Sequence, residues 1–429
     1  MDDKRSGDAT ALVPSRPNLK RTGGRSTDTA DRGPTRVSRS KPPVGPQRPE
    51  RVAYLDYLKL LMVAVIIAGH GALAYGDIQN AWPYQDVQEV HLAKATNVGL
   101  AIVAIPAAMF AMGLFFLISG LFTPGSISRK RPLAFARDRL IRLGVPLAVW
   151  VLVIWPGSIW LAHLAAGSTH SFWWQFTHED PTLDTGPMWF VETLLLFSLA
   201  YAGWRHWRGR RASPVPSNGA SRRKTLSGRT LVALAAGISA ANLLVRPIFP
   251  AASNQIGQVH LWQWPQVLTM FGLGIIAAQR GWLNPVPARI RRGSGFAALA
   301  GLAAFLIVAL LLAATGVDGG VIFDGGLHWP PLALAVIEGP LAVGASVWLL
   351  GFAQQHLSRP PGPFGQALAR SAYGAFLLQG VVLIALMIAM RPIGVPAEVK
   401  VVLVAGFGVA GSFGLAWLLA TKTLLGRII

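Results

Sequence analysis

The sequence predicts an all-α polytopic membrane protein with about ten transmembrane helices and both termini cytoplasmic. Three observations carry that reading. The 429-residue chain is 52% hydrophobic and only 14% charged, with a mean hydropathy of +0.44, whereas an average soluble chain has roughly 25% charged residues. Ten apolar stretches lie near 53–75, 97–122, 140–162, 187–204, 230–246, 262–279, 295–316, 330–354, 371–390 and 401–421, most of them long enough to cross a bilayer. Finally, the N-terminal tail, the C-terminus and alternate connections hold 33 Lys and Arg, while the five intervening connections hold 3. That alternation is the positive-inside bias of a ten-span chain. It also gives the net charge of +20 a topological meaning, which argues against nucleic acid as a partner; the expected location is the plasma membrane.

In chain order, residues 1–50 are rich in Arg, Pro, Ser, Thr, Asp and Gly and poor in large apolar residues. They read as a disordered basic cytoplasmic tail, and no signal-peptide core follows a short basic start. The membrane domain then spans 51–425. A second basic stretch at 205–229, with Pro, Ser and Gly, reads as a mobile cytoplasmic linker after the fourth span. The outer connections 76–96 and 163–186 carry His, Asp, Glu and Trp. Their Trp residues suit an interfacial belt, and also stacking on sugar rings. His170, His178 and their acidic neighbours match no defined metal-ligand spacing, so no metal and no tightly bound cofactor is expected. The chain has no cysteine, which excludes disulfides, thiol catalysis and cysteine-ligated metal.

The first span carries the strongest chemical signal, Lys59 and His70 with ten residues between them. Eleven steps of about 100° return to within roughly 20° of the start, so both side chains share one helix face, about 16 Å apart along the axis. Asp56 lies a turn earlier on the same stripe. Ionisable groups on a membrane helix usually face a cavity or pathway, although Asp56 and Lys59 also fit a membrane boundary with Lys59 snorkelling to water. His70 lies well beyond that boundary. A neutral imidazole there can take a proton from a hydroxyl that attacks an acyl carbonyl.

YLDYLKLLMVAVIIAGH (54–70) resembles the opening of the acyltransferase 3 family, integral membrane acyl-group transferases marked by Arg or Lys, ten residues, then His in the first span. FFLISGLF (115–122), FARDRLIRLGVP (135–146), GPMWFVETLLLFSLAY (186–201), FGLGIIAAQRGWL (271–283) and SAYGAFLLQG (371–380) are similar to later family segments and follow in the family's order. The resemblance covers roughly 51–425. It implies transfer of an acetyl or succinyl group from cytoplasmic acyl-CoA to a hydroxyl of an envelope glycan or lipid-linked acceptor outside. By position it makes His70 the essential histidine and Lys59 its basic partner, and it makes Arg137, Arg139 and Arg142 the donor-binding arginines. Guanidinium forks suit the phosphates of coenzyme A; positive-inside bias and lipid contact also account for cations there. The family's arginine pair has three residues between its members, but the position four before Arg142 is Asp138. Gln379 stands where relatives often carry His, and an amide takes no acid–base role near neutrality.

Three further residues join the candidate site in supporting roles: Glu192, as a catalytic partner that orients His70 or pairs with Arg142 or Arg246; Trp189, in the Trp-Phe segment of the fourth span; and Arg246, one helical turn after Asn242. Glu338 is another possible partner for either arginine. Tyr373 and Ser371 read as packing groups. The rival reading is a transporter or flippase for an envelope precursor, in which Asp56, Lys59, Glu192 and Arg246 form a relay; the chain lacks the repeat symmetry such proteins display. A non-catalytic partner of an envelope-assembly complex is the third.

Overall fold

The computed structural model describes residues 53–78, 82–178, 183–209, 226–251, 253 and 259–422. The tail 1–50 and most of the 205–229 linker therefore lie outside the described residues. Among the described residues there is no strand, and ten long helices follow one another: α1 Ala53–Leu73, α2 Lys94–Arg129, α3 Pro132–Ala165, α4 Trp189–Arg208, α5 Gly228–Val245, α6 Trp264–Arg280, α7 Ala288–Thr315, α8 Trp329–His356, α9 Pro363–Met390 and α10 Ala397–Lys422. Eight are long and apolar enough to cross a membrane. The other two expected spans are α4, a 20-residue helix with Glu192 near its start and Arg205, His206 and Arg208 in its last turn, and α6, which has 17 residues.

Several helices overrun the apolar stretches that predict them. The expected cytoplasmic connection 123–139 is almost wholly helical: α2 continues through Pro124 to Arg129, and α3 begins at Pro132. Proline at the first helical position starts a helix well, and Arg is a good helix former despite its polarity, so hydropathy underestimates the start of α3. The end of α2 is missed because its side chains turn polar before the helix stops. The linker is likewise trimmed at both ends. Arg205–Arg208 belong to α4, and Ser227 caps α5 by accepting a hydrogen bond from the Thr230 N–H (3.1 Å).

α8 is the most enclosed of the spanning helices, packed by α1, α2, α5, α6 and α7. Inside it Pro340 has no N–H for the Val336 carbonyl. The Ser239 hydroxyl of α5 supplies that missing donor at 2.7 Å. Lipid offers no hydrophobic drive for helix association, so small residues that allow close approach are the means of tight packing. Such close approaches occur between α2 and α6, where Gly120 and Gly274 face each other, and between α8 and α5, where Gly339 meets the Ala235 carbonyl; a Cβ on any of the three would collide with the opposing backbone.

Candidate active site

His70 lies in the last turn of α1, and its ring Nδ1 is 3.0 Å from the side-chain oxygen of Gln379 on α9. Trp82, in the connection between α1 and α2, stacks on the imidazole with ring centroids 4.6 Å apart and planes inclined by 25°. The indole is buried. Behind it the Trp155 ring meets Trp82 edge-on, and Trp150 stacks on Trp155, both from α3. An aromatic row thus runs from His70 into the α3 wall.

That wall is fixed by the segment before α4. Trp155 Nε1–H donates to Asp184 (2.8 Å), the other Asp184 oxygen accepts the Gly186 N–H (2.7 Å), and Trp150 Nε1–H donates to the Thr185 carbonyl (3.1 Å). Gly186 has φ +49° and lies flat against the Trp155 ring. The backbone conformation disfavours a side chain there, and the Trp155 ring leaves no space for one.

The connection carrying Trp82 is a strap tied to three helices. Its 3-10 turn Pro83–Val87 is held to the end of α1 by Gln85, whose amide donates to the Leu73 and Gly76 carbonyls (2.9 and 2.8 Å). Glu89 anchors the far end: it accepts from the Lys400 ammonium of α10 (2.6 Å) and the Tyr84 hydroxyl (2.8 Å), with Arg391 after α9 at 3.6 Å. Arg391 also donates to the Val87 carbonyl. Burial acts to raise the Glu89 carboxyl, but the Lys400 and Tyr84 hydrogen bonds outweigh it and hold the group below its ordinary range. Burial and the Glu89 charge push the Tyr84 hydroxyl upward.

At the opposite end of α1, Lys59 places its ammonium over the Phe122 ring of α2 at 4.6 Å. Asp56 is partly buried three residues earlier. The three arginines gather at the α2–α3 corner with unequal engagement. Arg137 is exposed. Arg142 donates from Nε to Asp138 (3.1 Å), which also pairs with Lys130 (3.0 Å). Arg139 lies over the Phe135 ring, its Nε buried without a hydrogen bond among the described residues. So the position that departs from the family spacing holds an acid that ties Arg142 down. The helix here is also irregular, with π turns at Leu140–Gly144 and Trp150–Ile154. Pro146 removes the helical donor for the Arg142 carbonyl, and the Tyr373 hydroxyl of α9 donates to that oxygen instead (3.1 Å).

The remaining candidates do not join His70. Arg246 pairs with Glu338 of α8, both nearly fully buried, and lies over the Trp262 ring. Trp262 Nε1–H donates to His260, whose ring also approaches Trp189 at 4.8 Å. Burial brings His260 down to about 4, so it stays neutral at ordinary pH. Among the described residues, no hydrogen bond or ion pair joins Glu192 to His70, Arg142 or Arg246. Arg142 and Arg246 are engaged by Asp138 and Glu338, and one Glu192 oxygen is buried without a partner. The orienting contact expected of Glu192 is made by Gln379.

Sequence reasoning missed Trp82, Asp184 and His260. Trp82 was indistinguishable from an interfacial aromatic. Asp184 acts through a tryptophan 29 residues away in sequence, and His260 stands alone in its stretch, with nothing in its spacing to mark it. A family model described as an acyltransferase domain matches residues 52–421, most of the chain. No curated protein and no solved structure matches.

Proposed function

The chain belongs to the acyltransferase 3 family and is a multi-pass membrane acyltransferase; from that premise we propose that it moves an acetyl or succinyl group from cytoplasmic acyl-CoA to a hydroxyl of an envelope glycan or lipid-linked acceptor on the outer face. In this reading both termini are cytoplasmic and the membrane is the plasma membrane. The observation that carries it is the arrangement of α1, with Lys59 at the end near the arginine-rich corner and His70 at the other end under the strap. The donor phosphates are held at the corner, chiefly by Arg139 and Arg137, and the pantetheine arm runs inward past Lys59. The acceptor oxygen attacks the thioester carbonyl while His70 takes its proton. The tetrahedral adduct then collapses, the C–S bond breaks, and the imidazolium returns the proton to the departing thiolate. The products are an ester and coenzyme A.

The test uses inverted membrane vesicles carrying the full chain, supplied with radiolabelled acetyl-CoA or succinyl-CoA. Label should enter an acceptor in the membrane fraction, and His70→Ala should lower the rate by roughly 10²–10⁴-fold, the usual worth of a positioned general base. The rate should also fall as pH drops through the imidazole titration, because only the neutral ring accepts a proton. Equal labelling by wild type and a well-inserted His70→Ala protein would remove the mechanism.

A further inference from the structure

We infer that Gln379 is a positioning residue that selects the tautomer of His70, keeping the proton on Nδ1 and presenting Nε2 as the base. This deepens the reading above and rests on it. With the Gln379 amide turned so that Oε1 faces the ring at 3.0 Å, the ring Nδ1 is the donor, since an amide oxygen only accepts. A neutral imidazole carries one N–H, and its other nitrogen then bears the lone pair. Trp82 stacked on the ring face fixes the plane in which that lone pair points.

The contact is not a convenience of packing. Gln379 is fully buried, and its amide nitrogen has no hydrogen-bond partner among the described residues. Such a donor is costly in an apolar interior, where leucine would fill the same space without an unmet polar atom. Among the described residues, no charged side chain is hydrogen-bonded or ion-paired to the ring. The carboxylates of the wall and the strap have other partners: Asp184 accepts from Trp155 and Gly186, and Glu89 from Lys400 and Tyr84. A neutral acceptor sets the tautomer without stabilising the imidazolium as a carboxylate would, which suits a base that must be neutral at the start of the reaction.

Two measurements on the detergent-solubilised full chain test this, one independent of turnover. Nitrogen-15 histidine spectra of wild type, with the His70 signals assigned by their loss in His70→Ala, should show a protonated Nδ1 and an unprotonated Nε2. Gln379→Leu should give a mixture of tautomers. In the vesicle assay Gln379→Leu should lower the transfer rate by roughly 10²-fold, toward the lower end of what a positioned base contributes, with the KM for acyl-CoA unchanged. Added to His70→Ala it should cost nothing more. Gln379→Glu keeps the acceptor oxygen, so it should retain the wild-type tautomer and shift the acid limb of the pH profile upward, since a carboxylate favours the protonated ring. A protonated Nε2 in wild type, or a Gln379→Leu protein with unaltered tautomer and rate, would overturn the assignment. If His70→Ala transfers normally, the general-base reading fails; if only Gln379→Leu is silent, this inference fails by itself.

Discussion

The three arginines at the α2–α3 corner are alike in sequence and different in circumstance. Asp138 neutralises one side of the Arg142 fork and shares itself with Lys130. Arg139 keeps a buried Nε without a partner and Arg137 is exposed. A phosphate arriving here meets its best unpaired donors on Arg139. Arg139→Gln should therefore raise the KM for acyl-CoA more than Arg142→Gln. Losing a charge-assisted bond costs about 1.5–3 kcal/mol, on the order of tenfold or more. Equal, small effects in both variants would return the corner to lipid contact. The motif spacing names Arg142 and cannot rank it, because the competing acid at Asp138 acts through geometry. His70 and Lys59 were legible because helical periodicity alone places them on one face. Gln379 was legible only as a departure, since a contact spanning 309 residues of sequence leaves no local trace.

At the scale of elements, the strap is held by one carboxylate with several donors around it. Glu89 sits below its ordinary range, so its contribution is fully present above the unfolded value near 4.3. That contribution is lost as pH falls through the lowered folded value. Hydrogen exchange across residues 82–92, corrected for the intrinsic rate, should stay protected at pH 6–7 and open only on strong acidification. Glu89→Gln should open it at neutral pH, because it leaves Lys400 buried and unpaired, a loss of about 3–5 kcal/mol. Unchanged protection in Glu89→Gln would mean that Gln85 and Tyr84 hold the strap without it. Nothing local marks this element: the stretch reads as a polar outer loop, and its order depends on Lys400 and Arg391, more than 300 residues away. The proline repairs were equally hidden. Pro146 and Pro340 are visible as helix breakers, but the hydroxyls that restore the broken ladder, on Tyr373 and Ser239, belong to other helices.

For the whole molecule, the alternation of basic residues predicts opposite sides for the α2–α3 corner and the connection after α3. The native chain has no cysteine, so single substitutions report cleanly. Ser128→Cys should be protected from an impermeant thiol reagent in intact cells, and Thr169→Cys should react. The reverse pattern would invert the proposed orientation and leave the basic corner facing the wrong compartment for acyl-CoA. The helical class and the approximate order of segments were readable because hydropathy and charge are summed over long windows. The ends of α2 and α3 were not, because a helix leaving the bilayer keeps its hydrogen bonds after its side chains turn polar.

The indole seated on His70 has one more consequence, which concerns waste. A base that can activate a hydroxyl can also activate water, and a thioester waiting without an acceptor is then spent for nothing. With Trp82 stacked on one face of the ring and the strap fastened, less water is expected beside the imidazole, and the donor waits for its acceptor. Loosening the strap should therefore give an enzyme that looks busier and achieves less. In Glu89→Gln, coenzyme A should be released faster in the absence of acceptor while the label delivered per thioester consumed declines.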